Sequence, residues 1–489
     1  MRRLIILFLC FSTYQIFAQN VTLRVVDQSK NPIPFATIQT GKFDGVVSNS
    51  EGYFTISLDN IKNDKVLVSC MGYETKELKA QELKTVNLIV LEEYINQLGT
   101  VYLSNSPPDV ETIMAEVRRN LDNNYSTDNL DYKVFFRNTS YITFENLDFE
   151  VDKASGVSKK KLGQANYTLD SLTNAIKNSN TVHFKEYLAD FKIKGKNDYK
   201  ISVVKATKLI DSKSDISVDQ VQEKAQRVVF RYLDTTKTFK VKTGIIKIED
   251  SMTLDDTSVK EDEQNRYHVE GLKNETFGLL KDSKNLTGSM LTHLIDADNY
   301  KFELKKVTYQ NDELIYVIEF RPRKSKSKYA GTLYVGHDSY AVLRTDYSYA
   351  KGKRGSKLNL KLLLGIKYVE NLRKGTMLFK KQEDGYYHPQ YISEEDGNYF
   401  FVRRPIKFIE NSPAKNQVRF DFTISGDTRE RDELLIIGTN TLTPDEFTAL
   451  KEEEYVEYIK LNKFDPSIWK EFTSLEPLEE MKKFKASQN

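Results

Sequence analysis

The chain has 489 residues, with 72 Lys and Arg against 70 Asp and Glu and a formal net charge of +2. This near-neutral balance argues against a protein whose whole surface binds nucleic acid. The length predicts two or three domains, each with room for a core. After the first residues no stretch reaches about 18 consecutive apolar residues, so we expect no transmembrane helix.

The N-terminus has the pattern of a cleavable secretory leader. Basic Met1-Arg2-Arg3 precedes the apolar run 4–11, and the small residue Ala18 ends the segment. The run is too short to span a bilayer, so we expect residues 1–18 to be a signal peptide and the chain to be exported. A retained anchor or a buried strand is the alternative. Leu9 precedes Cys10 where a lipoprotein signal needs a small residue, so we expect no lipid anchor.

Cysteine use indicates a protein without intramolecular disulfides. Once Cys10 leaves with the leader, only Cys70 remains. An exported chain of this composition depends on packing for its stability. Cys70 ends the apolar run 66–70, so we interpret it as a small buried hydrophobe rather than a nucleophile.

Residues 20–92 have the alternation of short strands separated by turns. Pro32 and the sequence Asn49-Ser50-Glu51-Gly52 are turn signals. Six or seven short strands with regular turns predict a β-sandwich. The predicted strands are 21–27, 34–38, 46–48, 53–56, 66–70 and 86–90.

The same segment carries a specific family resemblance. The motifs are Val26-Asp27, Pro34-Phe35-Ala36-Thr37, Ser48-Asn49-Ser50-Glu51-Gly52-Tyr53-Phe54 and Ser69-Cys70-Met71-Gly72-Tyr73. In this order they resemble the carboxypeptidase regulatory-like domain, whose fold is a transthyretin-like sandwich. The family usually has Thr-Asp where this chain has Ser48-Asn49, a change that preserves the turn chemistry. The resemblance implies a seven-strand sandwich over residues 19–94.

The resemblance also carries an expectation about function. In metallocarboxypeptidases this module follows a catalytic domain, whereas here it follows the leader directly, so we expect no catalytic domain before it. In envelope proteins of Gram-negative bacteria the module is a folding and interaction unit. The resemblance therefore implies a non-enzymatic interaction or scaffold protein, periplasmic or associated with the outer membrane. Its partner would be an envelope protein or a lipid, with no nucleic acid involved.

The pattern changes after residue 94. We assign 95–108 to a linker ending in Pro107-Pro108, and 109–442 to a β-rich domain of unknown function. Asp109 is placed to cap a helix over 110–121, with apolar residues at helical spacing. The stretch 113–125, followed by Tyr132-Lys133-Val134-Phe135-Phe136-Arg137, resembles the start of the region that follows this module in uncharacterised bacterial envelope proteins. The fold class expected for the whole chain is mainly β, with flanking helices.

Sequential hairpins predict one large antiparallel sheet, with a half-barrel as one form that it can take. The signals are Asn311-Asp312 between 301–309 and 313–321, His337-Asp338-Ser339 between 332–335 and 341–349, and turns at Glu383-Asp384-Gly385 and Asp396-Gly397. We expect further strands at 357–369, 376–382, 391–393 and 399–402. The hairpin 331–343 resembles those of lipoprotein-carrier half-barrels. The run of hairpins, together with 28 Tyr and 27 Phe in the chain, makes a lipid- or acyl-chain-binding protein with a half-barrel cavity the first alternative.

We predict a helical C-terminal tail over 443–489. Thr443 is placed to cap a helix over 444–458, and a second helix is expected over 477–484. Trp469 is the only tryptophan. We interpret it as an anchor that docks the tail rather than as a ligand-stacking residue.

A second alternative function, a zinc carboxypeptidase, rests on a sparse pattern. His183, Glu186 and His293, with Asn265-Arg266 between them, resemble in order the zinc ligands and carboxylate-binding pair of metallocarboxypeptidases, with Glu319 or Glu370 as base. We interpret this pattern as a chance occurrence. The metallocarboxypeptidase family needs a doubly wound α/β domain, and the sequence of this region does not alternate between predicted strands and helices. We nominate no catalytic, cofactor-binding or metal residue and expect no cofactor.

Three charged segments complete the candidates. The run 321–328 is the densest in basic residues; an exposed loop is the ordinary interpretation, and contact with anionic lipid headgroups is the sharper one. The segment 352–357 is interpreted as a solvated hairpin loop. The acidic segment 255–263 lacks EF-hand spacing and its central glycine, so we interpret it as a mobile segment rather than a calcium loop.

Overall fold

The computed structural model describes residues 20–94, 109–125, 129–178, 181–196, 198–211, 236–244, 246–253, 265–310 and 313–486, together with Val228, Arg231, Leu233 and Asp234. The predicted signal peptide, the linker, the acidic segment and the Asn311-Asp312 turn lie outside the described residues. The chain divides into two compact units. Unit 1 consists of residues 1–101 with 308–314 and 465–478, and unit 2 of the remainder.

Unit 1 contains the predicted seven-strand sandwich. One sheet has the order β4-β1-β7 and the other β3-β2-β5-β6. All six predicted strands are present, and β6 is the additional one. The strands are β1 (Asn20–Val26), β2 (Thr37–Gln39), β3 (Gly45–Val47), β4 (Tyr53–Ser57), β5 (Lys65–Ser69), β6 (Lys76–Lys79) and β7 (Leu88–Val90).

Alternation along the strands builds the core of the sandwich, because successive side chains face opposite sides of a sheet. Leu23 and Val25 of β1 face Ile38 of β2 and Val66 and Val68 of β5 within one buried cluster. Cys70 belongs to this cluster, as the sequence predicted.

The Ser48–Gly52 motif forms the turn that joins β3 to β4. The Asn49 Oδ1 atom accepts hydrogen bonds from the backbone N–H groups of Glu51 and Tyr53, each at 2.9 Å, which is an Asx turn. Gly52 has φ +81°, and a Cβ there would lie 2.5 Å from the Val25 carbonyl oxygen. The buried Ser48 hydroxyl donates to the Ile33 carbonyl at 3.0 Å. The turn therefore needs these residue types for both conformation and close packing.

Unit 2 is built on one open sheet of 14 strands. Its main path is β14-β15-β16-β17-β19-β20-β21-β8-β9-β10-β23, with β11, β12 and β18 attached beside it. The strands are β8 (Leu130–Ala154), β9 (Val182–Lys194), β10 (Asp198–Leu209), β11 (Phe239–Thr243), β12 (Ile246–Met252), β13 (Arg266–His268), β14 (Tyr300–Gln310), β15 (Glu313–Pro322), β16 (Tyr329–Gly336), β17 (Val342–Tyr349), β18 (Lys357–Leu360), β19 (Ile366–Lys381), β20 (Tyr387–Glu410), β21 (Gln417–Thr441), β22 (Tyr455–Glu457) and β23 (Ile459–Leu461). β13 and β22 pair separately. A mainly β fold with a large antiparallel sheet is thus confirmed.

Helices flank the sheet as predicted. They are α1 (Val110–Arg119), α2 (Leu121–Asn124), α3 (Lys159–Lys177), α4 (Val269–Asp282), α5 (Met290–Leu294), α6 (Lys361–Leu364), α7 (Pro444–Ala449) and α8 (Glu479–Lys482). α1 starts after Asp109 and buries Ile113, Met114 and Val117, although the Asp109 side chain makes no capping hydrogen bond. Among the described helices, none has the length and apolarity needed to cross a membrane.

The two ends of the long strands have separate apolar environments. At one end α3 buries Ala165, Leu169 and Ile176 against Phe420 and Phe422 of β21 and their neighbours. Ser158 caps this helix by accepting from the Lys161 backbone N–H at 3.4 Å. At the other end Phe136 of β8 stacks on Tyr187 of β9, with ring centroids 4.7 Å apart.

Three predictions about elements are wrong in detail. The helix predicted over 444–458 ends at Ala449, and Tyr455–Glu457 is strand β22; Thr443 nonetheless forms the predicted cap, as a capping box with Glu446. Asp396-Gly397 is not a turn, because both residues lie inside β20 and pair with β21. The single strand predicted over 357–369 is a hairpin of β18 and β19 with α6 at its tip.

Candidate functional site

A belt of charged residues crosses the middle of the large sheet. The belt consists of residues 394–396 of β20, residues 430–433 of β21 and Arg137 of β8, with the neutral Asn138 beside it, and these positions lie opposite one another in the strand register. Residues opposite one another in antiparallel strands share a face. The belt therefore presents different charges on the two faces.

On the first face four carboxyl groups form a group that we call the acidic square. Glu394 lies opposite Asp432, and Asp396 lies opposite Glu430. Glu394 is buried, Asp432 is half-buried and Glu430 is exposed, so the square runs from the interior to solvent. Alternation along each strand brings the four side chains to one side.

One arginine on β19 partners the buried side of the square. The Arg373 Nη2 atom is paired with Glu394 Oε1 and lies 3.9 Å from Asp282 Oδ2 of α4, and the Nε atom is 3.7 Å from Asp396 Oδ1. On the other side, Asn138 Nδ2 donates to Asp432 Oδ1 at 2.7 Å. The square and Asp282 therefore hold more acidic groups than the arginine can neutralise.

Burial raises the pKa values of carboxyl groups in the acidic square and of Asp282 beside it. Desolvation raises the pKa of Glu394 to about 7, against the lowering influence of Arg373, and raises the pKa of Asp432 to about 6. The pKa values of Asp282 and Asp396 are raised by the same cause. Burial by itself would lower the pKa of the Arg373 guanidinium. The ion pair with Glu394 outweighs this effect and raises that pKa. Burial therefore favours the neutral form of Glu394 and of Asp432 more than it does for an exposed carboxyl group.

Helix α4 closes the first face beside the square. Its Glu275 carboxylate holds Lys185 of β9, with both oxygens 2.6 Å from the ammonium nitrogen. The Tyr187 hydroxyl donates to the Leu272 carbonyl at 3.1 Å. With Asp282 near Arg373, the helix is fixed to β9 and to β19, and its last turn borders the square.

Tyrosines line the buried side of the site. Tyr329 lies 5.6 Å from Tyr347 and 5.4 Å from Tyr349, measured between ring centroids. Gly375 makes room for this layer, since a Cβ there would lie 2.4 Å from the Tyr347 hydroxyl oxygen. Burial raises the pKa of Tyr347 well above its usual range, so its hydroxyl stays neutral.

The second face of the belt carries a buried ion pair. Arg137 Nη2 lies 2.7 Å from Glu186 Oε1, and both side chains are 3% exposed. Nearby, the Tyr391 hydroxyl donates to Glu433 Oε1 at 2.8 Å, and Arg431 Nη2 donates to Glu480 Oε1 at 2.9 Å. This face is thus a network of paired charges.

The zinc-peptidase residues do not come together. Glu186 is occupied by Arg137, and His293 Nε2 lies 2.9 Å from the Tyr300 hydroxyl. His183 lies on β9, three residues from Glu186. Within the described part of the chain, no group of three or more His, Cys, Asp or Glu side chains could hold a metal ion.

Comparison with known proteins identifies one part of the chain. Residues 24–103 match the family model described as the CarboxypepD_reg-like domain, so the suspected carboxypeptidase regulatory-like domain is present. The search of curated proteins found no match.

Three solved structures are similar to large parts of the chain. They are a putative outer membrane lipoprotein-sorting protein domain from Vibrio parahaemolyticus (7% identity, 69% of this chain and 97% of that chain, TM-score 0.22), a LolA superfamily protein from Nitrosomonas europaea (9%, 65% and 94%, 0.20) and a DUF1329 family protein from Desulfovibrio piger (12%, 71% and 100%, 0.22). At these TM-scores the similarity supports no conclusion about the fold or function of this chain.

Proposed function

We propose that this chain is a non-enzymatic exported protein of the cell envelope, with the sandwich of unit 1 as its interaction module. The match of residues 24–103 to the carboxypeptidase regulatory-like family carries the proposal. The leader pattern of residues 1–18 supports the expected export to the periplasm or outer membrane.

The sandwich has two kinds of edge for such a partner. β6 is an edge strand with the sequence Lys-Glu-Leu-Lys, and charged edges resist pairing with another chain. β7 is the edge of the other sheet, and its Leu88 side chain is 45% exposed. Of these two edge strands, β7 is the more suitable for a protein partner, and we propose it as the position of the contact.

Photo-crosslinking tests this placement. With p-benzoylphenylalanine in place of Leu88 in the full chain, we expect irradiated cells of the native host to yield a discrete adduct with an envelope protein. The same probe at Ile248, an exposed residue of unit 2, is the matched control and should give no such adduct. Equal adducts at both positions, or adducts with cytoplasmic proteins alone, would contradict the proposal.

A lipid-binding role is the second candidate, favoured by the helices that cover one face of the open sheet. α4 buries Leu272 and Leu279, and α5 buries Leu291 and Leu294. An acyl chain could enter an apolar layer of this kind.

Native mass spectrometry of the protein purified from its own envelope should then show a lipid adduct that organic extraction removes. A bare polypeptide mass would eliminate this candidate and leave the interaction role standing.

A further inference from the structure

The tip of the β18–β19 hairpin exposes leucine side chains to solvent. We call residues 358–364 the leucine tip. Leu362 is 103% exposed, Leu363 is 79% exposed and Leu358 is 46% exposed. Single exposed apolar residues are ordinary, but a contiguous apolar patch marks a contact surface.

The fold holds this tip in a defined conformation. Gly365 ends α6 with φ +66°, and a Cβ there would lie 2.1 Å from the Arg403 carbonyl oxygen. The Gly365 carbonyl accepts from the Arg403 backbone N–H at 2.8 Å, so the tip is hydrogen-bonded to β20. The Lys361 ammonium lies 4.1 Å from the centroid of the Phe401 ring. The exposure of Leu362 and Leu363 is thus built into the hairpin.

Basic residues predominate around the leucines along the chain, and the first acidic residue after them, Glu370, accepts from the Ser356 backbone N–H at 2.6 Å. Residues 351–369 contain no acidic residue and six basic ones: Lys351, Lys353, Arg354, Lys357, Lys361 and Lys367. The net charge of the whole chain is only +2. The hairpin is therefore a strong local concentration of positive charge in a nearly neutral protein.

The basic run 321–328 lies against the base of the same hairpin. The Ala350 backbone N–H donates to the Lys328 carbonyl at 2.8 Å, and Lys353 Nζ donates to the Ser325 carbonyl at 2.6 Å. The run adds five basic residues and no acidic one. Among the described residues, the ion pair formed by this run joins Arg323 Nη2 to Glu111 Oε1, at 3.7 Å. Two basic segments distant in sequence thus form one surface.

We propose that the leucine tip inserts into the surface of an anionic phospholipid bilayer while the two basic segments contact the headgroup phosphates. Apolar side chains that enter the acyl boundary and basic residues that approach anionic headgroups are the two contributions that give stable peripheral binding. This contact is separate from the protein partner proposed at β7 and does not depend on it.

Vesicle binding tests the proposal. The mature chain should cosediment with phosphatidylcholine vesicles containing about 30% phosphatidylglycerol, and binding should weaken steeply with salt. The variant Leu362→Ser/Leu363→Ser should bind at least about tenfold more weakly, because it removes the inserted apolar area. Since both side chains face solvent, the variant should keep its melting temperature. Ile248→Ser, an exposed apolar residue elsewhere in unit 2, should bind as the wild type does.

A second variant separates the two contributions. Lys324→Gln/Lys326→Gln/Lys351→Gln should remove the preference for anionic over neutral vesicles while a fluorophore at Leu363→Cys still reports insertion by quenching with lipid-borne spin labels. Undiminished binding of the leucine variant would overturn the proposal. So would a dimer of the wild type that the leucine variant converts to monomer, because the tip would then join two copies of the chain.

Discussion

Glu186→Ala should destabilise unit 2 by about 3–5 kcal/mol, the cost typical of breaking a buried ion pair from one side. The Arg137 and Glu186 side chains are each 3% exposed and lie 2.7 Å apart. Removal of the carboxylate takes this charged partner from a buried guanidinium, and a buried charge that loses a partner is costly because water does not reach it. Chemical denaturation followed by far-ultraviolet circular dichroism gives the free energy of unfolding directly.

A double variant separates the pair from its surroundings. Arg137→Met/Glu186→Leu removes both charges, so it should cost less than the sum of the two single changes. Glu303→Ala breaks an exposed pair with Lys305 and should leave the unfolding midpoint almost unchanged. Strict additivity of Arg137→Met and Glu186→Leu would contradict the assigned coupling. A fall in metal content on replacement of Glu186 would instead restore the zinc interpretation.

The sandwich could be predicted from sequence because its signals are local. Asn49 and Gly52 form a turn within a few residues. The alternation of apolar residues in β1 and β5 predicts which face of each strand is buried, even when the neighbouring strands are unknown. β6 was not predicted because its sequence is Lys-Glu-Leu-Lys. Three of its four residues are charged, as is common in edge strands, so it lacks the alternation of apolar residues from which the other strands were predicted.

The charged belt could not be predicted, since its stability comes from pairing across strands far apart in sequence. Asp396-Gly397 has the composition of a turn, yet both residues continue β20 because Glu430 and Arg429 of β21 lie opposite them. Arg373 similarly meets Glu394 only after β19 and β20 pair. Local propensity was overridden by tertiary pairing. The helix predicted past Ala449 failed for the same reason, as 455–457 pairs with β13.

Glu394→Gln should stabilise unit 2 at pH 8 and have little effect at pH 5. The folded-state pKa of Glu394 is raised to about 7 from its usual 4.5, so the fold favours the protonated carboxyl. The stability that this group contributes is fully present below pH 4.5 and is lost as the pH rises through 7. Glutamine imitates the neutral acid at every pH. We expect the melting temperature of the variant to exceed that of the wild type by about 3–5 °C at pH 8.

The pH dependence of the difference distinguishes protonation from packing. Arg373 keeps Asp396 at 3.7 Å and Asp282 at 3.9 Å in the variant, so its charge is not isolated. Glu383→Gln, in the exposed turn before β20, should give no difference that grows with pH. If Glu394→Gln were instead less stable than the wild type at pH 8, Glu394 would be ionised in its pair with Arg373, and the acidic square would be a fixed ion-pair network. A difference that grows between pH 5 and 8 would establish that Glu394 is protonated at pH 5 and loses its proton as the pH rises through 7.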